Sequence, residues 1–476
     1  MNGIRGALIS ALARTGICTV AIYAPGANSQ DGILDPAFGN GGIVEIAWPA
    51  GAAAANAVAM DNNGNIVVGG YAAGISGDSD FALFRLLPDG SLDTSYAPDA
   101  SGFRLFDFNL AGIGGKSDDS VNDLATLSDG SVVALGEAHF GYINSQFAVA
   151  KTTASGLPDP DFGDGGVAHF GFDTYFNLDQ GALLKVDSSG RLVVTGNVAF
   201  NVIGTNTVDY RIGVARLSAQ GQLDASFAKV YTSLWADKST APPTQPIINL
   251  PSAVLLDSAQ RVVVAGTFYD PFPQDVGLWR TQPDGAFDPT FGPQAIARTR
   301  LQLAIGTAGD AFALDDGKLM ASGTFGNAAP NTPFLMRLNE DGSTDTTFAS
   351  DGLAVGPPLE SNQYAAFNFL APTKGGCWLM AGNYVDNSAP TAGVILMRFT
   401  ADGKPDATFG DDGIVTIAPD SGRPFAAHRV ALQVDGKLVV AGSFPASALD
   451  NTPHFAIVRL LSDCDSLFAS GFEVAP

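Results

Sequence analysis

Short apolar runs separated by Gly- and Asp-rich turns follow one another along the chain, and no stretch carries the apolar stripe of a helix. In the first clear unit, residues 57–61 and 65–70 flank Asn62-Asn63-Gly64, a tight hairpin signal. Residues 81–86 read as a third strand, ended by the turn Pro88-Asp89-Gly90, and 103–108 as a fourth. These runs are rich in Val, Leu, Phe and Ile, which suits pleated, half-buried strands.

The unit then repeats. Asp-x-x-aromatic recurs at Asp35/Phe38, Asp93/Tyr96, Asp159/Phe162, Asp224/Phe227, Asp288/Phe291, Asp345/Phe348 and Asp406/Phe409, about 62 residues apart. An apolar run reaching a glycine keeps step with it, at Gly70, Gly136, Gly196, Gly266, Gly323, Gly382 and Gly442. So does a basic residue, at Arg85, Lys151, Arg216, Arg280, Arg337, Arg398 and Arg459, the first six standing eight residues before the Asp. Four-stranded units in tandem predict an all-β chain, a β-propeller of four-stranded blades. The last unit supplies only three strands, at 430–434, 438–442 and 455–460, while an unmatched strand stands at 42–46. Placed beside 455–460, that N-terminal strand completes a seventh blade, closes the ring and removes an exposed sheet edge. An open solenoid is the other arrangement the repeat allows.

The phrases LDPAFGNGGIV, PDGSLDTSY, DGKLVVAG and ADGKPDATFGDDGIV resemble the bacterial delta-60 repeat, over about residues 33–461. The resemblance implies a β-propeller and an exported or surface-associated protein, and it brings no catalytic residues with it. Residues 464–476 resemble a short Phe-x-x-Gly-Phe-Glu ending found on exported proteins of some proteobacteria. Asp465/Phe468 superficially continues the repeat but is out of register with Arg459, so 464–476 reads as a separate tail.

Residues 1–29 read as an export signal, with Arg5 and Arg14 ahead of a short apolar core and Ala27 and Ser29 at the −3 and −1 positions of a cleavage site. The propeller then occupies 30–463, and the expected location is secreted, periplasmic or cell-surface. No later segment is apolar enough to span a bilayer. The mature chain keeps Cys377 and Cys464, which an oxidising compartment allows to pair and which equally suit two free thiols. The net charge is −23, and it grows by two when Arg5 and Arg14 leave. Such a surface repels phosphate backbones and anionic lipid, so nucleic-acid and membrane-surface partners are disfavoured. With 46% hydrophobic and 15% charged residues, a long disordered chain is disfavoured.

Residues present in every repeat do the same thing seven times, so they read as scaffold: the Asp caps a turn, the aromatic packs between blades, and the basic residue pairs with an acid of its own blade. Variation falls in the loops after the second and fourth strands, which emerge on one face. There the Gly-to-basic interval runs from 14 residues (Gly266 to Arg280) to 20 (Gly196 to Arg216), with long insertions at 110–120 and 234–250. Phe140, Tyr142, Tyr175, Phe176, Trp235, Tyr269, Tyr364 and Tyr384 lie in these loops with Asp173, Asp237, Asp270 and Asp386. They are the candidate ligand-binding residues, suited to stacking on a sugar or accepting a basic protein, and the competing reading packs them under the loops as satellite core.

Other chemistry finds little support. Ala111-Gly112-Ile113-Gly114-Gly115-Lys116-Ser117 looks like the end of a phosphate-binding loop, but Leu110 replaces its first Gly and no helix follows. There is no Gly-x-Ser-x-Gly elbow. His139, His169, His428 and His454 read as standing in different repeats without ligand spacing. Asp61–Asn65 and Asp315-Asp316-Gly317 lack the alternating ligands of a calcium loop and read as turns. No metal and no cofactor is expected. The expectation is a monomeric, non-catalytic binding module for a glycan or protein. The alternatives are a polysaccharide hydrolase or lyase using two of the 48 acids, or a purely structural envelope component.

Overall fold

The computed structural model describes residues 32–74, 77–97, 101–108, 117–140, 144–172, 179–201, 208–227, 230–232, 248–269, 275–292, 296–299, 306–326, 331–373, 375–388, 391–420 and 422–462. Two strands come first, β1 (Ile33–Leu34) and β2 (Ile43–Ile46). Blade 1 is β3 (Ala53–Met60), β4 (Ile66–Ala73), β5 (Ser79–Leu86) and β6 (Phe103–Phe106). Blade 2 is β7 (Asp119–Thr126), β8 (Val132–His139), β9 (Ser145–Thr152) and β10 (Val167–Phe170). Blade 3 is β11 (Gln180–Val186), β12 (Leu192–Asn201), β13 (Val208–Leu217) and β14 (Val230–Thr232). Blade 4 is β15 (Ile248–Leu256), β16 (Val262–Tyr269), β17 (Asp275–Arg280) and β18 (Ile296–Thr299). Blade 5 is β19 (Gly306–Ala313), β20 (Leu319–Phe325), β21 (Thr332–Leu338) and β22 (Leu353–Val355). Blade 6 is β23 (Gln363–Pro372), β24 (Trp378–Asp386), β25 (Thr391–Phe399) and β26 (Ile414–Ile417). Blade 7 takes β27 (Ala426–Leu432), β28 (Leu438–Pro445) and β29 (Pro453–Leu461) from the C-terminal end.

Neighbouring strands within each blade are antiparallel, and the fourth edge of blade 7 comes from the N-terminal end. There β2 pairs β29 from Ile43 with Val458 to Ile46 with Phe455, and β1 adds Ile33 with Leu461 and Leu34 with Leu460. The molecule is a seven-bladed β-propeller closed by its N-terminal strand, as the three-strand last repeat required. Seven apolar clusters fill it, one between each pair of adjoining blades. Between blades 7 and 1, for instance, Val439 and Ile457 meet Val68 and Phe84. Each such side chain contributes about 1.5–3 kcal/mol by leaving water. The recurring aromatic has a place in all seven clusters, Phe38 between blades 7 and 1 and Tyr96 between blades 1 and 2 among them.

Every innermost strand carries a β-bulge against its neighbour, with one residue extra at Asn56, Asn122, Ala182, Ser252, Asn368 and His428, and within Gly309-Asp310. The recurring glycine stands opposite. A Cβ on Gly136 would lie 1.8 Å from the Ser120 carbonyl oxygen, and one on Gly70 would lie 1.9 Å from that of Ala54. Even the loosest of the seven, Gly266, leaves 2.7 Å to Leu250 O. So the glycine does not end a strand, as the sequence pattern implied; it makes room for the bulge, and β4 runs past Gly70 to Ala73. For the same reason β3 begins at Ala53 and β27 at Ala426, ahead of the expected 57 and 430, because the extra residue breaks the alternation by which a strand is recognised.

Candidate functional site

The loops after the first and third strands form a turn face, and the repeated motif fills it. Each basic residue meets its Asp: 2.7 Å for Arg85–Asp93, Arg280–Asp288 and Arg337–Asp345, 2.8 Å for Arg216–Asp224, Arg398–Asp406 and Arg459–Asp35, and 2.9 Å for Lys151–Asp159. The other carboxylate oxygen caps the turn by accepting the backbone N–H two residues on, Ala37 at 2.9 Å and Thr290 at 3.0 Å among the seven. Each guanidinium lies over the motif aromatic, 4.4 Å from the Phe38 ring centre for Arg459 and 4.8 Å from Tyr96 for Arg85. Several reach onward to the next blade, as Arg280 does to Glu340 O at 2.6 Å. Burial would raise these carboxyls, yet the turn N–H groups and the cations hold all seven below their ordinary value. Asp224, bonded first by the Ser226 hydroxyl, goes to about 2. This face spends its charge on itself.

Mid-channel, the bulges carry polar side chains that tie blades together. Asn56 donates to Val121 O at 3.0 Å, and Asn122 to Gly181 O at 2.8 Å; His428 Nδ1 lies 2.9 Å from Ala55 O. Arg429 of blade 7 reaches Asp123 of blade 2 at 2.9 Å, past blade 1, so the two meet across the channel. Asp123 also accepts Leu184 N–H at 2.8 Å, and its counterpart Asp310 in blade 5 accepts Leu370 N–H at 2.9 Å. Burial pushes the Asp310 carboxyl up against the pull of Lys185 and Arg429. Around the Arg429 guanidinium, burial is outweighed by Asp123 and Asp310. Sequence reasoning missed this belt because its members come from blades 1, 2, 3, 5 and 7, and only the glycines opposite the bulges hinted at it.

On the opposite, loop face, acids gather where blades 1 and 2 adjoin. Asp119 accepts from Ser117 Oγ at 2.9 Å, Phe108 N at 3.0 Å and His139 N at 3.2 Å. Asp118 accepts from Ser79 N at 3.0 Å, and Asp78 from Ser117 N at 3.2 Å. Burial, with the Asp107 charge added, pushes Asp119 up to about 7 in spite of those donors. Burial first, then Asp107 and Asp78, push Asp80 up to about 6. Asp80 is only 9% exposed, and no described residue donates a hydrogen bond to it. Carboxyls that keep protons near neutral pH can donate them, and those that lose them attract cations.

The sequence candidates on this face divide three ways. Tyr142, Tyr175, Phe176, Trp235, Asp173, Asp237 and Asp270 lie outside the described residues, as do residues 1–31, 111–116 of the phosphate-loop look-alike, and Cys464. Phe140 is half-buried where β8 gives way to its loop, its N–H bonded to Asn144 O at 2.9 Å; Tyr269 ends β16; Tyr364 stands exposed on β23. Tyr384 is not a loop residue: it lies in β24, buried in the core between blades 5 and 6, because that strand continues past Gly382. Asp386 ends the same strand and caps Ser388 N at 2.8 Å. The histidines do not occupy four repeats: His139 and His169 share blade 2, and His428 and His454 share blade 7. Among the described residues no three His, Cys, Asp or Glu side chains come close enough to hold a metal ion, and no helix is long and apolar enough to cross a membrane.

Five segments, 62–96, 188–227, 261–291, 314–348 and 433–463, match the family described as "Domain of unknown function (DUF5122) beta-propeller". The first four end on the motif aromatic, so the matched part is scaffold. No curated protein matches the chain. Among solved structures, polysaccharide lyase Uly1 is similar at 12% identity and TM-score 0.48, over 91% of this chain and 96% of that one. An inactive variant of virginiamycin B lyase from Staphylococcus aureus is similar at 12% identity and TM-score 0.44, over 88% and 99%. A protein of unknown function from Dyadobacter fermentans gives 10% identity and TM-score 0.46, over 90% and 100%. Fold and repeats together make this chain a seven-bladed β-propeller built from units similar to the DUF5122 β-propeller family.

Proposed function

We propose that the protein is an exported propeller of the delta-60 repeat kind, working as a monomeric, non-catalytic binding module that holds a glycan or protein on its loop face. The observation that carries this reading is the contrast between faces. All seven repeated ion pairs on the turn face are satisfied within the molecule, whereas the loop face varies from blade to blade and keeps a buried acid without a hydrogen-bond donor among the described residues. Rigid scaffolds carry recognition on such variable loops. The test is a glycan-array screen of the purified chain without residues 1–29, with reducing-end release assayed on every hit and a pull-down from the cell envelope beside it. Binding without release is the expected result; silence in both the array and the pull-down sinks the reading and leaves a structural envelope role.

One observation favours a second reading, a polysaccharide hydrolase or lyase. Asp80, at the loop face and without a donor among the described residues, holds its proton to about pH 6, a range in which a carboxyl can act as a general acid. Release of reducing ends that disappears in Asp80→Asn would move this reading to first place.

A further inference from the structure

The seven-fold repeat serves as an internal control for Asp80. At the same strand position, five residues before the basic residue, blade 2 has Gln146, which meets His169 Nδ1 at 2.7 Å, and blade 7 has His454, which meets Glu45 at 2.9 Å. In those blades a polar side chain there is answered from the outer strand. In blade 1 the outer strand offers Leu105 at the corresponding place, and Asp80 is left nine-tenths buried with no hydrogen bond from any described residue. Its carboxylate lies against Gly74, where a Cβ would come within 2.6 Å of Oδ2, so only a glycine there lets the carboxylate sit in this recess. Asp78 and Asp107 bring further negative charge to bear on it, and Ser79 links Asp118 to the same strand end.

We propose that this recess is the seat of a lysine ammonium from a basic polypeptide partner, a proposal that rests on reading the loop face as a binding surface. A compact ammonium on a four-carbon stem reaches a recessed carboxylate. The planar guanidinium of arginine needs a wider, forked acceptor. A net charge of −23 draws a basic chain to the surface before it docks.

The probe is oligolysine, titrated calorimetrically into the purified protein beside oligoarginine and acetylated oligolysine of equal length. Oligolysine is expected to bind at least tenfold more tightly than either. Asp80→Asn and Gly74→Ala, each checked for folding by circular dichroism, should each cost that advantage. Asp89→Asn, an exposed acid on the turn face, should leave it unchanged. Equal binding of oligoarginine, oligolysine affinity untouched by Asp80→Asn, or no binding of oligolysine overturns the proposal. If a glycan from the array binds in that case, and binds Asp80→Asn equally well, the binding-module reading stands without this seat.

Discussion

The turn face and the loop face are built from the same seven repeats, and they treat carboxylates in opposite ways. On the turn face an Asp sits under a guanidinium, receives a backbone N–H from its own turn and is held below its ordinary pKa, as Asp288 is beside Arg280. On the loop face Asp80 and Asp119 are buried among other acids and pushed to about 6 and 7. The turn-face acids each have a cation beside them; Asp119 has three hydrogen-bond donors but deeper burial and no cation among the described residues, and Asp80 has neither. A carboxylate whose needs are met within the fold contributes stability, and one left short of donors is available to something else.

The contrast can be broken most severely at Asp288. Its side chain is fully buried and that of Arg280 only 3% exposed, so Asp288→Ala strands a buried cation and should cost about 3–5 kcal/mol in urea unfolding. A loss below about 1 kcal/mol would mean the turn-face pairs hold nothing together. At Asp80 the effect should reverse. Its folded pKa is raised, so stability is greatest below the ordinary value of 3.8 and falls as pH rises through about 6, by at most about 3 kcal/mol. Asp80→Asn should flatten that part of the melting-temperature profile between about pH 4 and 7; an identical slope in both proteins would remove Asp80 from the account. Gly136→Ala, which drives a Cβ against the Ser120 carbonyl, should cost about 1–3 kcal/mol and loosen the channel belt in hydrogen exchange around Asn122. The smallest change sharpens the comparison instead. Lys151 stands 6.0 Å from the Phe162 ring where its arginine counterparts stand within 4.8 Å, so Lys151→Arg should raise stability by less than about 1 kcal/mol.

What the chain discloses before folding follows the same division. The motif Asp, its aromatic and its basic partner recur seven times, so their roles as cap, inter-blade packing and ion pair are readable from spacing, as is the missing strand supplied by 42–46. A bulge leaves almost no trace, because one extra residue looks like a strand that starts late; Gly70 and Gly442 were its shadow and read as strand ends. That error also placed Tyr384 in a loop. Asp80 is one acid among 48 until the fold withholds a donor from it, and Arg429 meets Asp123 only because the ring curves them together.

Ring closure has a consequence for the order in which the molecule comes into being. Six of the seven cation–Asp pairs join residues eight apart and form as soon as their own blade has been made. The seventh, Arg459 with Asp35, spans 424 positions and waits for nearly the whole chain. Until then β1 and β2 have no blade to belong to, and blade 7 keeps a raw edge. A circular permutant that joins the ends and opens the chain in the connection between blades 4 and 5 would make that last pair local and leave no blade split, so that the ring would close only by packing blade 4 against blade 5. Refolding rates of the two forms would therefore tell which closure step limits assembly.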